Sequence, residues 1–269
     1  MLVVLKVGGA LDGQGQRELA AALQICQTAG YQVVIVHGGG PEITRRLTAQ
    51  GIELPFVDGL RVTTQRAMPV VMEALAHCNA TLSEDIRQAG FQVCSLTSGD
   101  VVIAKDVGTG RTGDVAAIDS DCLLAVCHRG EIPILAPYGK DAAGAFYNLN
   151  ADTVAAHVAV ACSADKLVLC TNVAGVFADF KAGVQYYDVT ATTLRRALEA
   201  DELTAGMVPK VQSMLLAAEH GTGEVWVVDG QDGESLRFAI ARPTAEFDAS
   251  RRTFGTCLRA AETYREVVQ

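Results

Sequence analysis

The chain has 269 residues, 49% hydrophobic and 20% charged, which describes a globular protein long enough for one large core or two lobes. A formal net charge of −9 argues against nucleic acid or an anionic membrane as the main partner, so any anion site has to be basic locally. The eight cysteines sit mostly inside apolar patterns, without C-x-x-C or a Cys/His cluster at zinc spacing, and read as reduced core residues of a cytoplasmic protein with no metal site.

In chain order, Leu2 to Val7 is a short strand that ends in Gly8-Gly9, followed by a helical pattern from about Gln16 to Ala29. No basic n-region precedes that strand, and the longer apolar stretch Val154 to Cys170 is interrupted by His157, Asp165 and Lys166. Neither a signal peptide nor a transmembrane helix is expected. Tyr31 to Val36 is a second strand; it runs into His37-Gly38-Gly39-Gly40-Pro41 and resumes as a helix through Glu42 to Leu47. Glycines at a strand-to-helix turn let backbone N–H groups approach an anion, and the helix N-terminus adds partial positive charge. Two such turns, one preceded by Lys6, point to a nucleotide, with neither the Walker spacing nor a clean G-x-G-x-x-G. Met68 to Cys78 and Ala80 to Ala89 are helical stretches, Gln92 to Leu96 a strand, and the glycine-rich stretch Ser98 to Ala117 reads as hairpins of a flap or rim outside the core. Cys122 to Arg129 is helical, Ile132 to Leu135 a strand, and Ala145 to Asn150 leads into a helix over Ala151 to Cys162. The strand Lys166 to Thr171 opens into a loop at Asn172 to Val176. Helices over Thr190 to Ala200 and Met207 to His220 and a strand over Glu224 to Val228 complete the pattern. Alternation of this kind makes an α/β protein with a mainly parallel sheet covered on both faces.

Six segments then stand in a telling order: Lys6-Val7-Gly8-Gly9, His37-Gly38-Gly39-Gly40-Pro41, Gly59-Leu60-Arg61-Val62-Thr63, Asn148-Leu149-Asn150-Ala151-Asp152, Thr171-Asn172-Val173-Ala174-Gly175-Val176 and Gly206-Met207-Val208-Pro209-Lys210. With this order and approximate spacing the chain resembles the amino acid kinase family over Leu2 to Leu258. The resemblance implies a three-layer αβα sandwich on one continuous, mainly parallel sheet. Residues 1–141 would form an N-terminal lobe for acyl-amino-acid binding and dimerisation, and residues 142–269 a C-terminal lobe for ATP. Within the family the resemblance is to members that phosphorylate the γ-carboxylate of N-acetyl-L-glutamate, with ATP and Mg²⁺, in arginine synthesis. A kinase for carrier-protein-bound aminoadipate and a non-catalytic nucleotide-binding regulator of the same fold are the alternatives. Gly108 to Gly113 departs from the shorter pattern usual at that point.

The residues suit that chemistry. A carboxylate acceptor is already ionised at neutral pH and needs no general base; the obstacle is repulsion between it and the polyphosphate. Lys6 and Lys210 are therefore assigned to the transferring group from its two sides, with Asp152 holding both ammonium groups. Gly8, Gly9, Gly39 and Gly40 would donate backbone N–H groups, the last two close to the reacting carboxylate. Arg61 can fork onto an α-carboxylate, and Asn148 can serve the acylamino group. Asn172, Gly175, Val176, Phe177 and Met207 are assigned to the nucleotide side. His37 ends a buried strand and reads as a structural hydrogen-bonding group instead of a base. In the family the chain resembles, arginine-inhibited members carry an extra helix ahead of the first strand; with the first strand here beginning at Leu2, the resemblance implies a two-fold homodimer through a helix such as Met68 to Cys78 that escapes inhibition by arginine.

Overall fold

The β-branched run at the start forms β1 (Leu2–Val7), and the first glycine turn leads to α1 (Gly13–Thr28), β2 (Gln32–His37) and α2 (Gly40–Ala49). A two-residue hairpin, β3 (Phe56–Val57) and β4 (Leu60–Arg61), precedes the long helix α3 (Met68–Gln88) and β5 (Val93–Leu96). Next come β6 (Val102–Thr109), β7 (Thr112–Ile118), α4 (Ser120–His128), β8 (Ile132–Leu135), β9 (Tyr138–Lys140), β10 (Phe146–Asn148) and α5 (Ala151–Ala161). The remainder holds β11 (Lys166–Thr171), β12 (Phe177–Asp179), β13 (Val184–Gln185), β14 (Asp188–Val189), α6 (Ala191–Glu199), α7 (Val208–Glu219), β15 (Glu224–Asp229), α8 (Gly233–Ile240) and β16 (Thr256–Arg259). These elements are those of a computed structural model that describes residues 1–8, 13–96, 99, 101–204, 206–241 and 254–260.

Eight strands form the central sheet in the order β14-β16-β15-β11-β1-β2-β8-β5, parallel at every junction except β15 with β16. The sheet draws strands from both halves of the chain, as expected of a continuous α/β sheet. Along β1 the two-residue side-chain period divides the strand. Val3, Leu5 and Val7 pack with Leu19, Leu23 and Cys26 of α1 and Leu236 and Ala239 of α8. Leu2 and Val4 pack on the other face with Val154, Val158, Val211 and Met214 of α5 and α7. Lys6 shares the period of Leu2 and Val4, so it points to the layer whose helices begin at Ala151 and Val208. That placement follows from strand geometry alone.

Two sequence expectations change. The stretches Met68 to Cys78 and Ala80 to Ala89 form one continuous helix through Asn79, whose side chain is committed to tertiary partners instead of the local backbone. Its Nδ2 donates to the Ile134 carbonyl at 3.0 Å and lies 3.1 Å from His37 Nε2, while its Oδ1 accepts from Ser83 and Ser95. The hairpin β6–β7 is no peripheral flap: with β9 and β10 it closes a small barrel, and Val102, Ala104 and Val115 are core residues. Gly139 makes that closure possible, because a Cβ there would stand 2.4 Å from the Val102 carbonyl oxygen. At the other edge of the sheet, Leu258 lies in β16, opposite Val225. Residues 261–269, and Gly9 and Ser98 earlier, lie outside the described residues.

His37 is buried, its Nδ1 lies 2.7 Å from the Gly38 carbonyl, and burial pushes its pKa down to about 4. The ring is neutral at physiological pH, donating from Nδ1 and accepting from Asn79 at Nε2. This is the structural role expected from sequence. Asn79→Ala removes a donor from His37 and Ile134 and an acceptor from two serines, and buried groups stripped of partners cost about 1–3 kcal/mol each. Urea titration should show a loss of at least about 2 kcal/mol in unfolding free energy.

Candidate active site

Three charged side chains meet above the carboxyl ends of the central strands. Lys6 Nζ lies 3.0 Å from Asp152 Oδ1, and Lys210 Nζ donates to Asp152 Oδ2 at 2.7 Å. Exposure of the three side chains is only 11%, 13% and 7% respectively for Lys6, Lys210 and Asp152, so the pairing is needed to keep the charges buried. Each is placed by a different element. Lys6 is the penultimate residue of β1. Asp152 lies in the first turn of α5, where Asn150 caps the helix by accepting from the N–H groups of Asp152 at 2.9 Å and Thr153 at 3.0 Å. Lys210 lies in the first turn of α7, a position where the helix dipole disfavours a cation, and it answers with the Asp152 contact.

Burial opposes ionisation of Asp152, but the two ammonium groups outweigh it and hold the carboxyl below its usual range. Burial lowers the pKa of Lys210, with the Lys6 charge adding to the effect and Asp152 opposing it. The same desolvation that costs the lysines strengthens their field on anything brought into the cleft. Cys170, on the neighbouring strand β11, is pushed up to about 12 by burial and stays a neutral thiol.

Strand order distributes the remaining predicted residues. On the β2 side, the glycine turn is bonded to β1 through Gly38 N–H and the Val7 carbonyl at 2.9 Å. Gly39 is packed tightly, since a Cβ there would stand 2.6 Å from Leu75 Cδ2, whereas a Cβ on Gly8 or Gly40 would meet nothing within 4 Å among the described residues. Gly39 is thus a packing necessity, and Gly8 and Gly40 front open space. Arg61, on β4, donates to Thr44 Oγ1 at 2.7 Å and toward the Gly40 carbonyl at 3.4 Å, and its guanidinium lies 4.6 Å from the centre of the Phe56 ring. It therefore stands at the mouth of the glycine turn. Asn148, on β10, donates to Thr63 Oγ1 at 3.0 Å and joins the same group. Beside them, Leu60, Val115, Leu149, Asn150 and Thr153 line a cavity of about 290 Å³.

On the β11 side, the loop after Thr171 carries the residues assigned to the nucleotide. Asn172 is exposed and accepts from Thr171 Oγ1 at 3.3 Å. Phe177 is half-buried, edge-on to Phe180 at 5.2 Å. Gly175 is a close-packing position, where a Cβ would lie 2.5 Å from Thr256 Oγ1. Val176 is fully buried, its N–H bonded to Thr256 Oγ1 at 2.8 Å and its carbonyl to Tyr186 N–H at 2.9 Å. Met207 packs in the core and caps α7. These three shape the loop from below, while Asn172 and Phe177 lie at its surface. Sequence reasoning overlooked Thr63, Thr112 and the capping role of Asn150; only the last carried a local signal, an Asn directly before a helix.

A buried carboxylate between two lysines at the strand ends of an α/β sheet, with a glycine turn on the β2 side, is an arrangement suited to an anionic ligand. Residues 1–229 match the model of the amino acid kinase family, and the chain belongs to that family. The acetylglutamate kinase of Methanocaldococcus jannaschii is 32% identical over 259 residues, covering 89% of this chain and 86% of its own. That of Geobacillus stearothermophilus is 35% identical over 235 residues, covering 85% and 90%. Among solved structures, smu.665 from Streptococcus mutans UA159 superposes with a TM-score of 0.80 at 31% identity, covering 96% of this chain and 98% of that one.

Asp152→Asn leaves two buried ammonium groups without a counter-charge, and a buried pair broken in this way costs about 3–5 kcal/mol. Thermal unfolding near pH 7 should show a large fall in midpoint. In the parent protein the folded pKa of Asp152 lies below its unfolded value, so its contribution to stability is complete above the ordinary carboxylate range. It disappears as pH falls through the folded pKa, below 3.8. Acid unfolding of the parent beside Asp152→Asn reads this directly, because the gap between them should close at low pH.

Proposed function

We propose that this chain transfers the γ-phosphoryl group of ATP to the γ-carboxylate of N-acetyl-L-glutamate, giving N-acetylglutamyl 5-phosphate and ADP in arginine biosynthesis. The observation that carries this reading is the Lys6–Asp152–Lys210 bridge, set between an acceptor side with Arg61 and a nucleotide side with the β11 loop, in a chain 32–35% identical to acetylglutamate kinases.

The acceptor carboxylate is ionised at neutral pH and attacks as it stands, so the work of the site is positioning and neutralisation. In this reading Arg61 takes the α-carboxylate. Asn148, with Nδ2 committed to Thr63, turns its Oδ1 to the acylamino N–H, and the acyl group enters the cavity beside Leu60 and Leu149. Gly39 and Gly40, at the N-terminus of α2, approach the γ-carboxylate with their backbone N–H groups. Lys6 faces the equatorial oxygens of the transferring group, and Lys210 the oxygen that becomes a terminal phosphate of ADP. Asp152 keeps the two ammonium groups from repelling one another out of place. The open space over Gly8 and the exposed edge formed by Asn172 and Phe177 suit a polyphosphate and its nucleoside. Among the described residues no three His, Cys, Asp or Glu side chains converge, so Mg²⁺ would be held chiefly by the β- and γ-phosphates, whose charge it neutralises. The described helices include none long and apolar enough to cross a membrane. The two-fold homodimer through α3 belongs to the same proposal, and light scattering checks it.

Lys6→Ala and Lys210→Ala should each lower kcat by about 10²–10³ with a smaller rise in either KM, the signature of groups acting on the transition state. Arg61→Ala should raise the KM for N-acetyl-L-glutamate and leave that for ATP nearly unchanged. A coupled assay of ADP release with N-acetylglutamate, glutamate, aspartate, N-acetylaminoadipate and UMP tests the substrate. Equal or faster turnover of the aminoadipate compound would overturn the assignment. Because Lys210 has a lowered pKa in the free protein, kcat/KM should fall with rising pH before the ordinary lysine value of 10.5 is reached.

A further inference from the structure

Arg61 and Asn148 lie on different strands, far apart in the chain, and the segments that carry them meet through two buried threonines. Thr63 is wholly buried and Thr112 nearly so. Thr112 Oγ1 donates to the Arg61 carbonyl at 2.7 Å and accepts from Thr63 N–H at 2.8 Å. Thr63 Oγ1 donates to the same carbonyl at 3.3 Å and accepts from Asn148 Nδ2 at 3.0 Å. Both hydroxyl protons thus converge on one carbonyl, and each hydroxyl oxygen receives one N–H. Each hydroxyl donates its one proton and accepts one N–H, which gives the chain of bonds one direction: Asn148 to Thr63 to Arg61, with Thr112 closing the loop.

The backbone reinforces it. Arg111 N–H donates to the Thr63 carbonyl at 2.7 Å, and Asn148 N–H to the Arg111 carbonyl at 2.8 Å. The approach needs the glycines of Gly108 to Gly113. Gly110 has φ of 66°, and a Cβ on it would stand 2.7 Å from the Thr63 carbonyl oxygen; a Cβ on Gly113 would stand 2.7 Å from Tyr147 Cβ. The β6–β7 turn is pressed against the strands on both sides of it.

We propose that Thr112, acting with Thr63, is a positioning residue for substrate recognition: it sets the distance and orientation between the Arg61 guanidinium and the Asn148 amide. The proposal rests on the reading that these two side chains grip the acylated amino acid. Thr112 touches no substrate atom. Its hydroxyl holds the main chain of Arg61 and makes no contact with the guanidinium, whose partners are Thr44, Gly40 and Phe56, so loss of the hydroxyl lets the two ends of the grip drift apart.

The test uses steady-state ADP release by the full chain, varying N-acetyl-L-glutamate and ATP in turn. Thr112→Val keeps the shape of the side chain and removes the hydroxyl. It should raise the KM for N-acetylglutamate about tenfold, the scale of one lost hydrogen bond, with the ATP KM and kcat within about twofold. Thr112→Ser restores the hydroxyl and should restore the KM. In an Arg61→Ala background Thr112→Val should add less than about twofold, because nothing remains to be positioned; a role in stability alone would add its full effect there. Thr63→Val breaks the chain of bonds at its other hydroxyl and should give the same pattern, which covers the case of a Thr112→Val protein that does not fold. An unchanged KM in Thr112→Val beside a raised KM in Arg61→Ala overturns the proposal alone. An unchanged KM in Arg61→Ala overturns the placement of Arg61 and the proposal with it.

Discussion

One buried carboxylate between two ammonium groups organises this protein. Asp152 joins the end of β1 to the first turns of α5 and α7, and each of the three elements brings a charge that its surroundings would otherwise reject. An isolated ion at these burial levels would lose its charge or come to the surface. Held together, one carboxylate sits between two lysines, which leaves the group with one more formal positive charge than negative. That formal excess of positive charge suits an incoming anion.

The sheet gives this triad its two sides. Because β1 lies between β2 and β11, the turns that follow those strands flank Lys6, which puts the glycine turn of α2 and the loop after Thr171 on opposite sides of one lysine. The small barrel contributes differently. It carries Asn148 on β10 and lies against β4, where Arg61 stands, and β10 leads directly into α5, which carries Asp152. Gly110, Gly113 and Gly139 mark where its strands approach too closely for a side chain.

Much of this was legible in the residues. The parallel sheet could be read from apolar strands alternating with helical patterns, and the charged triad from lysines and an aspartate at element boundaries where burial would otherwise be costly. Other features were not. The split of α3 into two helical stretches missed Asn79, because its partners Ile134, His37 and Ser95 come from other strands and no local pattern announces them. The hairpin β6–β7 was read as a rim since glycines look the same whether they make a turn flexible or a contact close. Of the residues assigned to the nucleotide, Gly175, Val176 and Met207 supply packing beneath the loop, a distinction that burial decides and spacing does not.

By itself, the sequence determined what depends on neighbours along the chain: strand periods, helix starts, the two glycine turns, and the face of β1 to which Lys6 points. Tertiary structure decided what depends on partners far away in the chain. Lys6, Asp152 and Lys210 are brought within 3.0 Å by a parallel topology with long crossovers, and Thr63, Thr112 and Asn148 by closure of a barrel. A side-chain period is a property of a few consecutive residues, whereas a hydrogen bond between buried groups needs both chain segments in place before either can be satisfied.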